Sequence, residues 1–196
     1  GNKAKQLRIA SLLFFTLFIV SACSQPAEEP KKADAPAVEA ANAVATVGSA
    51  EIMAAENSGW LSHGRTYSEQ RHSPLNQINV ETVGQLGLEW SYDLGTSRGI
   101  EATPIVHDGM MYVTSTWNIV HALDARSGKL VWSHDPKVDK AQGAKGCCDV
   151  VNRGVAVWGD SVFTATIDGR LISMNAKTGA VNWDVNTIDK SKPYTI

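Results

Sequence analysis

The chain repeats itself at a fixed distance. Ala122-Leu123-Asp124-Ala125-Arg126-Ser127-Gly128-Lys129-Leu130-Val131-Trp132 returns as Ser173-Met174-Asn175-Ala176-Lys177-Thr178-Gly179-Ala180-Val181-Asn182-Trp183, an offset of 51 residues without a gap. Upstream the same offset places Tyr112 on Phe163, Met111 on Val162 and Val120 on Leu171. Gly109 breaks the register, missing Gly159 by one position. A unit this short cannot bury its apolar side alone, so copies must stack on one another.

Each unit reads as four short strands bounded by turn residues. The first has Thr103–His107, Met110–Ser115, Ile119–Asp124 and Lys129–His134. The second has Gly154–Trp158, Ser161–Thr166, Arg170–Asn175 and Val181–Val185. Asp108-Gly109, Ser127-Gly128, Asp168-Gly169 and Thr178-Gly179 supply tight-turn chemistry between them. An earlier segment, Leu86–Tyr92, alternates apolar and polar residues and predicts one more strand. Four strands and one Trp per unit define an all-β fold, a β-propeller with one blade per unit. Trp132 and Trp183 are then packing residues, and Asp124 and Asn175 are turn-formers. Residues 58–196 number 139, so a period of 51 gives two to three blades. Alone, such a set is expected to expose an unpaired blade edge prone to aggregation.

The residues before the repeat differ in kind. Lys3, Lys5 and Arg8 precede an apolar run from Ile9 to Val20. Twelve helical residues rise roughly 18 Å, too short for a hydrocarbon core of ~30 Å. Residues 1–22 therefore read as a secretory signal peptide. Val20-Ser21-Ala22-Cys23 resembles a bacterial lipobox, which implies lipidation of Cys23. Residues 24–57 hold 11 Ala, 3 Pro and no aromatic residue. With so little apolar bulk, 23–57 reads as a tether from the lipidated Cys to the blades. Ala50–Glu56, behind Ser49, is expected to form a short helix against the domain. The implied location is periplasmic, anchored to a membrane through Cys23, with the outer membrane indicated by Ser24. A net charge of −2 without a basic block argues against a nucleic-acid partner.

The chemistry concentrates in Cys147-Cys148-Asp149-Val150-Val151-Asn152-Arg153-Gly154. A disulfide between neighbours would close a small ring and make a rigid apolar slab, suited to stacking on a planar cofactor. Two free thiols, or half of a zinc site, are the alternatives. Zinc would need further Cys or His at ligand spacing, and the nearest histidine is His134. If Cys23 is acylated, the remaining two cysteines form an even set in an oxidising compartment.

The repeat Ala-x-Asp-Ala-x-x-Gly-x-x-x-Trp resembles the tryptophan-docking repeat of the PQQ-type propellers, which are eight-bladed. The Cys147-to-Gly154 run resembles the signature of the quinoprotein alcohol dehydrogenases. That resemblance implies a ring disulfide of Cys147 and Cys148 covering one face of pyrroloquinoline quinone (PQQ). It implies Arg153 as a partner of the cofactor's carboxylates, a task its planar fork suits. Gly99-Ile100-Glu101-Ala102-Thr103-Pro104 is similar to the family segment whose Glu reaches the cofactor, so Glu101 maps as a further contact. Trp60–Tyr67 and Arg71–Leu75 resemble the mature start of these enzymes and read as edge-sealing structure.

The family's calcium ligands, a Glu, an Asn and an Asp that doubles as the proposed base, map to nothing within residues 58–196. They are expected beyond Ile196, so no catalytic residue and no metal ligand is assigned within the chain. The resemblance implies the N-terminal portion of a calcium- and PQQ-dependent enzyme that oxidises primary alcohols to aldehydes. Electrons would pass to a cytochrome c or a quinone. The rival reading is a non-catalytic propeller lipoprotein that scaffolds envelope assembly. The lipobox and the repeat suit both readings; Cys147, Cys148, Arg153 and Glu101 suit only the enzyme.

Overall fold

A computed structural model describes residues 46–54 and 59–196. Residues 1–22, expected to be a signal peptide, Cys23 and most of the expected tether lie outside the described residues. No helix among the described residues is long and apolar enough to cross a membrane.

Eight strands form two four-stranded antiparallel sheets in meander order. The first sheet comprises β1 (Ile105–His107), β2 (Met110–Thr114), β3 (Val120–Asp124) and β4 (Leu130–His134). The second comprises β5 (Ala156–Trp158), β6 (Ser161–Ala165), β7 (Arg170–Asn175) and β8 (Val181–Asn186). All eight fall where the sequence pattern puts them, β1 and β5 starting two residues late. The irregularities repeat as well: a bulge between Ala122 and Leu123 recurs 51 residues on, between Ser173 and Met174.

The glycine that missed the register has a simple cause. In the β1–β2 turn both Asp108 (φ 48°) and Gly109 (φ 74°) are left-handed, which is type I′ chemistry. In the β5–β6 turn only the first central residue, Gly159 (φ 61°), is left-handed, as in type II′. The first central position is left-handed in both turns; the second loses its positive φ when the turn type changes, and the glycine moves to the first.

The two sheets share one core, with Ile105, Val120, Val162, Ile172 and Met174 wholly buried. Trp132 locks it. Its ring lies against Gly179, where a Cβ would come within 2.7 Å of the indole and φ is +71°. Its Nε1–H donates to the Ala176 carbonyl at 2.9 Å. Tyr112 donates to the same oxygen at 3.2 Å, and burial, with the nearby Asp108 charge, pushes its pKa up to about 12. Each sheet also carries a tilted aromatic pair at the repeat spacing, Tyr112–Trp132 and Phe163–Trp183.

Leu86–Tyr92 departs from expectation. It joins no ladder among the described residues, and Leu86 and Leu88 are exposed. Trp90, however, packs on Gly128 as Trp132 packs on Gly179. The segment therefore stands where the fourth strand of a preceding blade would stand, and its alternation reflects that position. A strand needs a hydrogen-bonded neighbour, and pattern alone does not supply one.

The folded unit also begins ahead of residue 58. Val47 exchanges both backbone hydrogen bonds with Gly159, at 3.1 and 2.7 Å. It is buried, as is Ile52 of the helix α1 (Ser49–Ala54). The helix starts one residue early, with Glu51 accepting from the Gly48 N–H at 2.8 Å. Two aliphatic side chains within an Ala-rich stretch suffice to seat it. Trp60 adds to the free edge of β1 through two bonds with Val106, at 2.8 and 2.9 Å, the edge-sealing expected of that stretch.

Candidate functional site

The blades are joined by an excursion, residues 135–155, too long to be a mere connection. Asp139 opens it, accepting the Ala141 N–H at 2.9 Å and capping a short 3-10 segment, Lys140–Lys145. That segment lies over Trp117. The Lys140 ammonium sits 3.8 Å from the indole centroid, within reach of its electron-rich face. Gly143 lies so close that a Cβ would come within 3.0 Å of the ring. Val138, Val150 and Ile167 complete a small second core here.

Trp117 and Asn118 both adopt left-handed backbone, φ 64° and 63°, turning β2 into β3. The turn serves the excursion. Trp117 N–H donates to the Val150 carbonyl at 3.0 Å, and buried Asn118 accepts the Ile167 N–H at 3.0 Å, tying the blades together.

Arg153 is placed by its backbone. Its carbonyl accepts the Thr103 N–H at 3.1 Å, joining the excursion to the segment before β1. Gly154 makes this approach possible: φ is +124°, and a Cβ would lie 2.9 Å from the Thr103 carbonyl oxygen. Asn152 fixes the turn from the other side, accepting from Gly154 N–H at 2.9 Å and donating to Ala165 at 3.0 Å.

These supports bring together the four residues singled out within the blades. Arg153 forms an ion pair with Glu101 at 3.1 Å. Cys147 and Cys148 are exposed free cysteines with sulfurs 2.6 Å apart. The Cys148 thiol is pushed up, first by its hydrogen bond to Cys147 and then by the Cys147 charge; Arg153 pulls the other way. The sulfur pair thus lies within the field of the ion pair. Arg153, with Asn118 and Asn152, also lines a cavity of about 230 Å³.

The arrangement can hold a flat, multiply charged acid. An exposed guanidinium supplies two parallel donors, the neighbouring carboxylate is partly neutralised by it, and the sulfurs present a polarisable, weakly polar surface. PQQ, a planar tricarboxylate, fits this donor set. Among the described residues no three His, Cys, Asp or Glu side chains gather as a metal site. Asn152, Asp149, Arg98 and Trp117 also build the site, though the sequence alone assigns them no role. Asp149 and Asn152 lie inside the cysteine motif, a signal that was available; Arg98 and Trp117 have no local signature.

Two four-stranded meanders, each locked by a Trp on a Gly, define consecutive blades of a β-propeller. Residues 60–184 match the family described as PQQ: Glucose/ethanol/alcohol dehydrogenase, beta-propeller domain, and the chain belongs to that family. The solved quinohemoprotein alcohol dehydrogenase ADHIIG of Pseudomonas putida is similar at 53% identity and TM-score 0.76, over 78% of this chain and 23% of its own. A 1-butanol dehydrogenase (cytochrome c) of Thauera butanivorans is 56% identical over 138 residues, 70% of this chain and 20% of that protein. A europium-containing methanol dehydrogenase superposes at TM-score 0.70 with 37% identity, over 75% of this chain and 26% of its own. The chain thus spans about a fifth to a quarter of the length of these relatives.

Proposed function

We propose that the chain forms the N-terminal blades of a PQQ- and calcium-dependent alcohol dehydrogenase that oxidises primary alcohols to aldehydes. One observation carries this reading: Glu101 and Arg153, from two segments far apart in sequence, form an exposed ion pair, and the adjacent Cys147 and Cys148 sulfurs lie within reach of both charges. A scaffold protein would have no need of that grouping. When bound, the quinone accepts the electrons of alcohol oxidation.

The chain's own part is recognition. Arg153 takes a carboxylate with its fork, and Glu101 holds that fork in place beforehand. The sulfur pair, joined as a disulfide in an oxidising compartment, covers one ring face and excludes water from it. The relatives' named acceptor, cytochrome c, supports transfer to a cytochrome c, with a quinone as the other acceptor. The europium-containing relative supports a metal-dependent enzyme, and we take the metal to be calcium. Export to the periplasm and anchoring through lipidated Cys23 complete the proposal.

The test uses the full-length gene product reconstituted with PQQ and calcium. It should reduce a dye when given a primary alcohol, without NAD. Activity that persists after removal of the quinone would overturn the reading.

A further inference from the structure

The grip described above has a structural cost. The Glu101–Arg153 ion pair helps to tie the excursion to the segment before β1, yet Arg153 is the group a carboxylate ligand would claim. Once the ligand takes the fork, that tie weakens. Besides the Thr103–Arg153 backbone bond, one further side-chain connection spans the same two segments: Arg98 pairs with Asp149. Arg98 precedes Glu101 by three residues, and Asp149 follows Cys148 directly.

Both partners are held from behind. Arg98 also stands over the Trp117 ring, 5.9 Å from its centroid. Its backbone N–H donates to Thr96 Oγ1 at 3.1 Å, and Thr96 accepts from buried Thr116 at 3.1 Å, which roots the segment in the first blade. Asp149 has φ 69°, a left-handed backbone that a non-glycine residue keeps only when something fixes it. That conformation turns the chain immediately after the cysteine pair. Val150, next in line, is buried and bonded to Trp117.

We infer that Arg98 and Asp149 form a clasp, backed by Trp117, that sets the cysteine pair against the Glu101 segment whether or not Arg153 is engaged by ligand. They are positioning residues for the quinone site, an inference that rests on the proposed quinone binding. Neither touches the ligand; their effect passes through the turn.

The experiment uses the full-length protein with Arg98→Met, Asp149→Asn, and the exchanged pair Arg98→Asp with Asp149→Arg. Two quantities are read: the dissociation constant for PQQ, and the rate at which dithiothreitol exposes Cys147 and Cys148 to maleimide in quinone-free protein. Each single variant should weaken PQQ binding and speed labelling by about fivefold, the range of a half-exposed ion pair. The exchanged pair should recover part of both, with a Tm below wild type, because Asp at position 98 forfeits the Trp117 contact and Arg at position 149 must adopt a left-handed φ. Should a single variant fail to fold, Arg98→Lys keeps the charge and leaves the left-handed Asp149 in place, and should stay near wild type in labelling rate. Wild-type values in the Met and Asn variants would overturn the clasp, as would an exchanged pair no better than the singles. If the wild-type protein binds no PQQ, the functional reading falls, while the labelling rates still decide the clasp.

Discussion

Replacing Trp132 with Ala should destabilise the protein by about 3–5 kcal/mol, the range for truncating a buried indole. The residue is 8% exposed and sits at the seam of two blades, so its loss opens a cavity between repeats. It also leaves the Ala176 carbonyl with Tyr112 as its side-chain donor. The converse substitution, Gly179→Ala, attacks the same contact from the other side. It places a methyl within 2.7 Å of the ring and forces a left-handed φ of +71° on a residue with a Cβ. That conformation alone costs about 1–2 kcal/mol. Denaturant unfolding of the full-length protein measures both. A Trp132→Ala variant within 1 kcal/mol of wild type, an estimated threshold well below the expected loss, would refute the docking account.

Arg153→Met should weaken PQQ binding about 10- to 100-fold, the loss of charge-assisted hydrogen bonds to a carboxylate. Its side chain is 71% exposed and supports no core, so the fold should survive. The Thr103 bond is made by the Arg153 backbone and persists in the variant. Fluorescence titration with PQQ reads the change, with circular dichroism as the control for folding. Unchanged affinity in a folded variant would remove Arg153 from the site.

Much of the fold was legible because a repeat is a statement about neighbours. Each Gly-Trp pair announces a contact between one unit and the next, so eight strands could be placed from pattern alone. Local chemistry read less well where its partner was remote. Leu86–Tyr92 has the pattern of a strand without a ladder partner among the described residues, and only Trp90 on Gly128 reveals its role. Val47 and Ile52 were hidden by the alanines around them. Within the site, Cys147, Cys148 and Arg153 stood out because their motif is contiguous. Arg98 did not, because what gives it meaning is Asp149, 51 residues away and brought near only by the fold.

Direct binding tests whether this chain helps to hold a quinone cofactor. Full-length protein in calcium buffer, titrated with PQQ, should show saturable quenching of its fluorescence at one PQQ per chain. The same preparation should release PQQ, identified by mass, on acid extraction. A titration without saturation, in protein that is folded and calcium-loaded, would contradict it.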